Sequence, residues 1–306
     1  MKKVAILGGG PSSEHVVSLA TAKNVFLLID RKKYKPELLF LTKKKELFLG
    51  KKRLSFPKDL KKYDIIFNAL HGAFGEDGEL QTILDKLVMK YTGSGAKASR
   101  IGMDKWESKR IFKKAGLNVA PSVLFKKNSN PGATRMPFPL VLKPRNGGSS
   151  VGISIVNSVP EFKNKIKRVL ANDDAVAEKY LPGREFTVGV LGNRALPVVE
   201  IKPKSKYKFF DYEAKYKTGA SEEIVPAKIP PKLAKLLGRS AIKAHKAIGA
   251  RAYSRSDFIL NGGKFYILEI NTLPGLTKNS LLPKAAKAAG VSFKQLLDII
   301  ILSSLR

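Results

Sequence analysis

Four polar side chains on two strand-like runs near the C-terminus are of types that could hold a metal ion and stabilise an anion. Arg255 and Asp257 lie two residues apart in the first run, and Glu269 and Asn271 lie two residues apart in the second. Side chains at this spacing share one face of a strand. Carboxylate and carboxamide oxygens suit Mg²⁺, which usually also keeps water and takes phosphate oxygens as ligands.

The turn between the two runs decides whether these side chains meet. Asn261, Gly262 and Gly263 are a turn signal, so the runs should form a hairpin. A two-residue loop would place the two polar pairs on opposite faces, whereas a three-residue loop would bring them to one face, with Glu269 beside or diagonal to Asp257. Gly263 suits the left-handed last position of a three-residue loop, which we therefore expect. The alternative is a surface hairpin with a salt bridge.

The elements that must position this hairpin are those of an α/β protein. Short apolar strands are predicted at residues 3–7 and 64–70, and each is followed by a glycine-rich loop and a helix. This order predicts a small parallel α/β domain over residues 1–95, with functional loops at the carboxyl ends of its strands. Residues 96–115 should be mostly helical. Further strands are predicted at 140–143, 151–156, 175–179, 185–191 and 196–201, and further helices at 160–170, at 231–248 and at the C-terminus.

Composition limits the possible functions. The 306 residues predict two or three domains, and the absence of cysteine excludes disulfides, thiolate metal sites and cysteine nucleophiles. The N-terminal apolar run is too short for a signal peptide and no segment is long enough to span a membrane, so we expect a soluble, cytoplasmic protein with no membrane partner.

The net charge is unusual, because 57 Lys and Arg against 25 Asp and Glu give +32. Nucleic-acid binding is one interpretation. The basic residues are dispersed along the chain, however, which is typical of a solvated surface, so a nucleic-acid partner is not expected. A positive field would also attract ATP and carboxylate substrates.

Two loops carry candidate binding groups. Lys143 precedes a loop of small residues that includes Ser149 and Ser150, and its backbone N–H groups and hydroxyls suit a triphosphate. It lacks the Walker A order, and a flexible hairpin is the alternative. Glu14 begins a predicted helix, where a carboxylate usually caps the first turn, although it could also bind an ammonium group. His71 lies beside glycines with no local partner to orient it, so a turn role is favoured over that of a base.

Several motifs in order carry a resemblance that spans nearly the whole chain. The chain resembles the D-alanine–D-alanine ligase family of ATP-grasp enzymes. The resemblance implies an α/β, three-domain ATP-grasp architecture, in which an N-terminal parallel α/β domain (1–95) is followed by two α+β domains (96–180 and 181–306) that sandwich ATP. The matching motifs are residues 8–14, 71–78, 91–95, 103–105, 148–152, 211–216 and 268–275, together with Ser280 and Leu281.

The resemblance also implies a nucleotide and metal site. It assigns nucleotide phosphates to Lys105 and Lys143, and the γ-phosphate to Lys215 on a lid. Ser149 and Ser150 belong to the ATP loop. The adenosine residues are Glu178, Lys179, Leu181 and Glu185. The ligands of two Mg²⁺ (or Mn²⁺) ions are Asp257, Glu269 and Asn271.

The same resemblance implies two amino-acid sites. Glu14 would anchor the ammonium group of the first D-alanine, and His71 belongs to the substrate site. Ser149 and Tyr216 would bond to Glu14 and close the lid. Arg255 and the Gly275 N–H would stabilise the oxyanion. Ser280 and Leu281 would bind the carboxylate of the second D-alanine.

The implied activity is ATP-dependent formation of D-alanyl-D-alanine through D-alanyl phosphate, for peptidoglycan precursor synthesis, by a homodimer. The alternatives are a D-alanine–D-lactate or D-alanine–D-serine ligase, and a basic nucleic-acid-binding protein with an inactive fold. Tyr216 in its sequence context resembles the dipeptide-forming type.

Overall fold

The computed structural model describes residues 1–129, 131, 134–148, 151–203 and 221–305. The first of its sheets contains β1 (Lys2–Gly9), β2 (Tyr34–Leu41), β3 (Leu47–Leu49), β4 (Lys52–Leu54) and β5 (Ile65–Asn68), in the order β4-β3-β2-β1-β5. β1 pairs in parallel with β2 and β5, which confirms the predicted parallel core.

Helices follow the loops of this sheet as predicted. α1 (His15–Leu28) connects β1 to β2, and α2 (Glu79–Lys86) follows β5. Residues 4–7 of β1 are fully buried, which is typical of a parallel strand covered on both faces. The loops after β1 and β5 therefore lie at the carboxyl edge of neighbouring strands.

The mostly helical stretch predicted for residues 96–115 is two helices, α3 (Ala96–Met103) and α4 (Lys105–Lys114). Asp104 separates them because its backbone is extended and its carboxylate accepts from the N–H groups of Trp106 and Glu107 at the start of α4. Gly116, with φ of 71°, follows α4 in the left-handed conformation typical of a helix C-terminus.

The second sheet is antiparallel and contains β6 (Ser122–Phe125), β7 (Leu140–Pro144), β8 (Ser154–Val156) and β9 (Ala175–Lys179), in the order β6-β9-β7-β8. β8 is shorter than the predicted strand 151–156. α5 (Val159–Leu170) packs its apolar side against this sheet through Phe162, Ile166 and Leu170.

The third sheet is also antiparallel, with the order β13-β12-β10-β14-β15 and β11 beside β10. α6 (Pro231–Ala247) packs against it, and Phe112 of α4 joins the same core. Its strands are β10 (Arg184–Leu191), β11 (Arg194–Ala195), β12 (Val199–Pro203), β13 (Ser221–Ile224), β14 (Tyr253–Asn261) and β15 (Lys264–Asn271).

The β14–β15 hairpin corrects the predicted loop. Asn261 pairs with Lys264, so the loop has two residues, Gly262 and Gly263, with φ of 54° and 76°. Positive φ at both positions is the requirement of a type I′ turn, which matches the twist of the strands. The three-residue loop was therefore wrong.

A β-bulge restores the convergence that the two-residue loop alone would have prevented. Phe258 pairs with Ile267, but Asp257 pairs with Glu269, so Leu268 is an extra residue in β15. One extra residue reverses the facing of all later side chains. The polar pairs consequently lie on one face, as expected, for a different reason.

The C-terminal helices α7 (Leu281–Ala288) and α8 (Phe293–Leu305) pack on the first sheet, sharing a core with Val4 and Ile6. Among the described residues, no single helix is long and apolar enough to cross a membrane; α7 and α8 pass that test only as a pair bent by 106°. Each sheet lies within one of the segments 1–95, 96–180 and 181–306, although α4 packs against the third sheet. The three-domain division stays a prediction.

Candidate functional site

The first polar group of the site is the hairpin cluster, defined here as Arg255, Asp257, Glu269 and Asn271. Asp257 lies directly opposite Glu269, and Arg255 lies opposite Asn271. Arg255 donates from Nε to Asp257 Oδ1 at 3.1 Å and from Nη2 to Oδ2 at 3.0 Å. This bidentate ion pair fixes the Arg255 guanidinium beside the Asp257 carboxylate.

Two further contacts orient the oxygens of this cluster. Thr187 of β10 donates from Oγ1 to Asp257 Oδ1 at 2.6 Å, and Asn271 Oδ1 accepts from the Leu273 N–H at 2.7 Å. Asp257 Oδ1 thus accepts two bonds, whereas the bonds to Asp257 Oδ2 and Asn271 Oδ1 leave each of these oxygens a second lone pair for a cation.

The donor set of the hairpin cluster fits Mg²⁺ only as part of a larger shell. Across the residues that the structure describes, no group of three or more His, Cys, Asp and Glu side chains is placed to hold a metal ion. Asp257, Glu269 and Asn271 supply two carboxylates and one carboxamide. Mg²⁺ commonly completes such a set with water and substrate phosphates. The residues present therefore fit Mg²⁺ in company with a phosphorylated substrate.

The second polar group is the glutamate–lysine cluster, defined as Glu178, Lys143 and Lys109. Both lysine Nζ atoms lie 3.2 Å from Glu178 Oε2. Burial alone would raise the pKa of Glu178, but the two ammonium groups outweigh it and hold that pKa below its usual value. Burial lowers the pKa of Lys109, and Glu178 opposes this effect. Glu178 Oε1 is buried, and no described residue forms a hydrogen bond with it.

The glycine-rich loop after β7 is tied to the start of α4. Lys105 Nζ donates to the Gly147 carbonyl at 2.6 Å, and the Lys105 N–H donates to the Arg145 carbonyl at 2.9 Å. Arg145 donates to both carboxylate oxygens of Asp104 and also to Asp174, the residue before β9. These bonds place the predicted phosphate ligand Lys105 against the loop.

The loops of the first sheet contribute Glu14 and His71. Glu14 begins α1 without capping it through its side chain, so the usual role of a carboxylate at this position is not observed. Gly72 has φ of 76°, and a Cβ there would lie 2.9 Å from Glu14 Oε2. Only a glycine allows the two loops to approach this closely.

His71 has the orienting partners that the sequence did not indicate. Its Nδ1 lies 3.1 Å from Glu76 Oε1, and its Nε2 lies 2.9 Å from Thr21 Oγ1. Burial raises the pKa of Glu76, while His71 opposes this effect. The expectation that no local residue orients His71 was wrong, because Glu76, five residues later in the chain, contacts its ring.

Two adjoining cavities gather these groups, and Glu269 lines both. The first lies between the second and third sheets, and its polar lining is Lys143, Glu178, Lys179, Glu185, Asp257 and Glu269. Leu181 lines the same cavity. The second is lined by Glu14, His71, Glu76, Lys105, Arg255, Glu269 and Asn271, together with Gly147 and Gly148.

The segment after β15 holds the remaining predicted residues. Gly275 lies against Ser280, since a Cβ on Gly275 would lie 2.9 Å from Ser280 Oγ. Ser280 Oγ also accepts from the Thr277 N–H at 3.1 Å. Leu281 begins α7 and is buried in the core.

Four predicted residues, Ser149, Ser150, Lys215 and Tyr216, lie outside the described residues. Sequence reasoning in turn missed Lys109, Thr187, Glu76 and Thr21. Glu76 lies within the motif 71–78 and could have been found there. Lys109 and Thr187 carry no local signal, because their partners are 69 or 70 residues away along the chain.

Family models match most of the chain. The model described as D-ala D-ala ligase N-terminus matches residues 3–58 and 50–94, and the model described as D-ala D-ala ligase C-terminus matches residues 111–302.

Relatives and solved structures agree with these matches. A D-alanine–D-alanine ligase of Syntrophobacter fumaroxidans is 40% identical, covering 97% of this chain and 96% of its own. One from Thermotoga maritima is 40% identical, and the match covers 99% of this chain and 97% of the relative. The structure of a D-alanine–D-alanine ligase from Bacillus anthracis complexed with ATP has a TM-score of 0.86 and 31% identity, covering 100% and 98%. The VanG D-Ala:D-Ser ligase from Enterococcus faecalis has a TM-score of 0.85 and 28% identity, covering 100% and 99%.

Proposed function

The chain belongs to the D-alanine–D-alanine ligase family, and from this premise we propose that it joins two D-alanine molecules to D-alanyl-D-alanine with conversion of ATP to ADP and phosphate. Its fold is the ATP-grasp fold of that family. The product is a building block for peptidoglycan. The observation that carries the proposal is the meeting of Glu14, Arg255 and Glu269 at one cavity beside the predicted nucleotide cavity.

In the first step, a carboxylate oxygen of the first D-alanine attacks the γ-phosphorus of ATP, and ADP leaves. Lys105, Lys143 and Lys215 are proposed to neutralise phosphate charge, while Glu14 holds the ammonium group of the amino acid and His71 belongs to the same substrate site. Bound Mg²⁺, or Mn²⁺, would supply further charge neutralisation, held by Asp257, Glu269 and Asn271.

In the second step, the amine of the second D-alanine attacks the carbonyl carbon of D-alanyl phosphate. The amine loses a proton, the C–N bond forms, and phosphate leaves. Arg255 and the Gly275 N–H are proposed to stabilise the tetrahedral oxyanion, and Ser280 and Leu281 to hold the second carboxylate. Ser149 and Tyr216 are proposed to close the lid over the site and exclude water from the acyl phosphate, and Ser150 is proposed to bind ATP.

The adenosine is proposed to occupy the cavity between the second and third sheets. Glu178 supports this placement, because its unsatisfied Oε1 needs a donor such as the amino group of adenine. The Glu185 carboxylate can accept from ribose hydroxyls. Lys179 and Leu181 would present backbone groups to the edge of the base.

The test is a product analysis with ATP, Mg²⁺ and a panel of D-alanine, D-serine and D-lactate. We expect ADP and phosphate release that requires both D-alanine and Mg²⁺, and D-alanyl-D-alanine as the product. Absence of ADP release with D-alanine would reject the proposal. Preference for another acceptor would place the chain with a different ligase of the same fold.

We also propose that the protein is a homodimer in the cytoplasm. The cytoplasmic location is proposed because ATP is the phosphate donor. Support for the dimer comes from α1, where Val16, Leu27 and Leu28 expose 74%, 61% and 44% of their surface. Exposed apolar side chains on one helix are typical of a self-complementary interface. Light scattering after gel filtration should give a dimer for the wild type and a monomer for Leu27→Lys. Val88→Lys, at an exposed apolar residue elsewhere, should remain dimeric. A monomeric wild type would reject the dimer.

A further inference from the structure

We propose that Lys109 is a positioning residue that keeps Glu178 ionised when Lys143 turns to the nucleotide phosphates, and that Glu178 thereby selects a base with an exocyclic amino group. This inference rests on the proposed function and extends it to the choice of nucleotide. It assigns a role to a buried lysine that the proposed reaction does not otherwise use.

The glutamate–lysine cluster contains more positive charge than its carboxylate neutralises. Glu178 is the shared partner of two ammonium groups, each 3.2 Å from the same oxygen. The side chains of Lys109, Lys143 and Glu178 are only 3%, 10% and 3% exposed. Buried charges are stable only when paired, so the cluster as a whole is matched to an incoming anion.

The two lysines are placed differently with respect to that anion. Lys143 belongs to β7 and lines the nucleotide cavity together with Glu178. Lys109 reaches the carboxylate from α4, and within the described part of the chain its Nζ has no hydrogen-bond partner. Lys143 is therefore the lysine that can move toward phosphate, and Lys109 is the one that remains as the counter-ion of Glu178.

The second oxygen of Glu178 provides the selection. Oε1 is buried and has no hydrogen-bond partner among the residues that the structure describes. An ionised carboxylate only accepts hydrogen bonds, so it can satisfy the amino group of adenine but not the carbonyl oxygen that hypoxanthine carries at that position. A protonated Glu178 could donate to that carbonyl, and the selection would be lost. Without Lys109, burial would favour the protonated form once Lys143 had moved.

The experiment measures the dissociation constants of ATP and inosine triphosphate in the absence of D-alanine, by equilibrium dialysis of the full chain. The wild type should bind ATP about 100-fold more tightly, since an unsatisfied buried polar group costs roughly this factor. Lys109→Met should reduce this ratio about tenfold, and Lys109→Arg should restore it. Lys113→Met, on the exposed side of the same helix, should leave the ratio unchanged.

Two outcomes would overturn the inference. One is an unchanged ratio in Lys109→Met; the other is an equal weakening of both nucleotides, which indicates a structural role alone. If Lys109→Met does not fold, Glu178→Gln must lower the ratio by itself, and Lys109→Arg must keep it. Binding of ATP with no change of ratio rejects only this inference, whereas binding of neither nucleotide rejects the proposed function as well.

Discussion

The hairpin cluster and the glutamate–lysine cluster each contribute two residues to the cavity between the second and third sheets, but they are assembled differently. Asp257 and Glu269 face each other across two strands joined by a two-residue turn. Glu178 meets Lys109, which lies on a helix whose apolar side packs against another sheet. The residues of the hairpin cluster are therefore close in sequence, and their chemistry can be predicted from it. The residues of the glutamate–lysine cluster are far apart in sequence and meet only when the chain folds.

The two clusters also differ in what surrounds their charges. Asp257 accepts two hydrogen bonds from the Arg255 guanidinium and one from the Thr187 hydroxyl. One oxygen of Glu178 contacts two ammonium groups, and the other has no partner in the described ranges of the chain. We therefore expect changes in the hairpin cluster to act on turnover, and changes in the glutamate–lysine cluster to act on stability and on nucleotide binding.

Among the variants that test this difference between the two clusters, Glu269→Gln should have the largest effect, a loss of turnover. Loss of one carboxylate charge weakens the proposed Mg²⁺ site and should lower kcat by about 10³-fold. The measurement is ADP release with D-alanine across a Mg²⁺ titration. Glu79→Gln, an exposed glutamate at the start of α2, serves as the matched control. Turnover within twofold of the wild type at every Mg²⁺ concentration would remove Glu269 from the metal set.

The second variant, Glu178→Leu, tests the claim about stability. It leaves Lys109 and Lys143 buried without a counter-ion and should lower the free energy of unfolding by about 3 kcal/mol in urea titrations. The folded pKa of Glu178 lies below its unfolded value. Its contribution should therefore be full above about pH 4.3 and fade as the pH falls through the folded pKa. Glu222→Leu, at an exposed site on β13, is the control. An unchanged free energy of unfolding at neutral pH would contradict the claim.

Arg255→Lys should have the next largest effect. The variant keeps the charge but loses the fork to Asp257 and one oxyanion donor, so kcat should fall about 100-fold with little change in the KM for ATP. Steady-state kinetics with both substrates varied will separate the two constants. Arg194→Lys, on the exposed end of β11, should behave as the wild type. A rise in the KM for ATP without a change in kcat would place Arg255 in nucleotide binding instead.

Thr187→Val should give the smallest effect. The variant removes one hydroxyl donor to Asp257 at nearly constant volume, which should raise the half-saturating Mg²⁺ concentration about threefold. The same ADP assay measures this shift. A loss of activity comparable to that of Glu269→Gln would mean that the hydroxyl participates more directly than the geometry indicates.

Much of the fold could be predicted because it depends on local patterns. The strand–loop–helix order at the N-terminus predicted the parallel core of β1 and β5, and strand 175–179 has the predicted bounds. The hairpin loop could not be predicted from Gly263 alone. A two-residue turn with a bulge at Leu268 and a three-residue turn without one give the same facing, and the choice depends on twist and packing along the whole strand.

The sequence by itself determined that Arg255 shares a face with Asp257, and Glu269 with Asn271, since alternation is a property of the backbone with a period of two residues. Its motifs also determined the family. Only the tertiary structure decided that Glu76 orients His71, that Thr187 supports Asp257 and that Lys109 reaches Glu178. Such contacts arise from the packing of distant elements around buried apolar cores, and no local period records which polar groups that packing brings together.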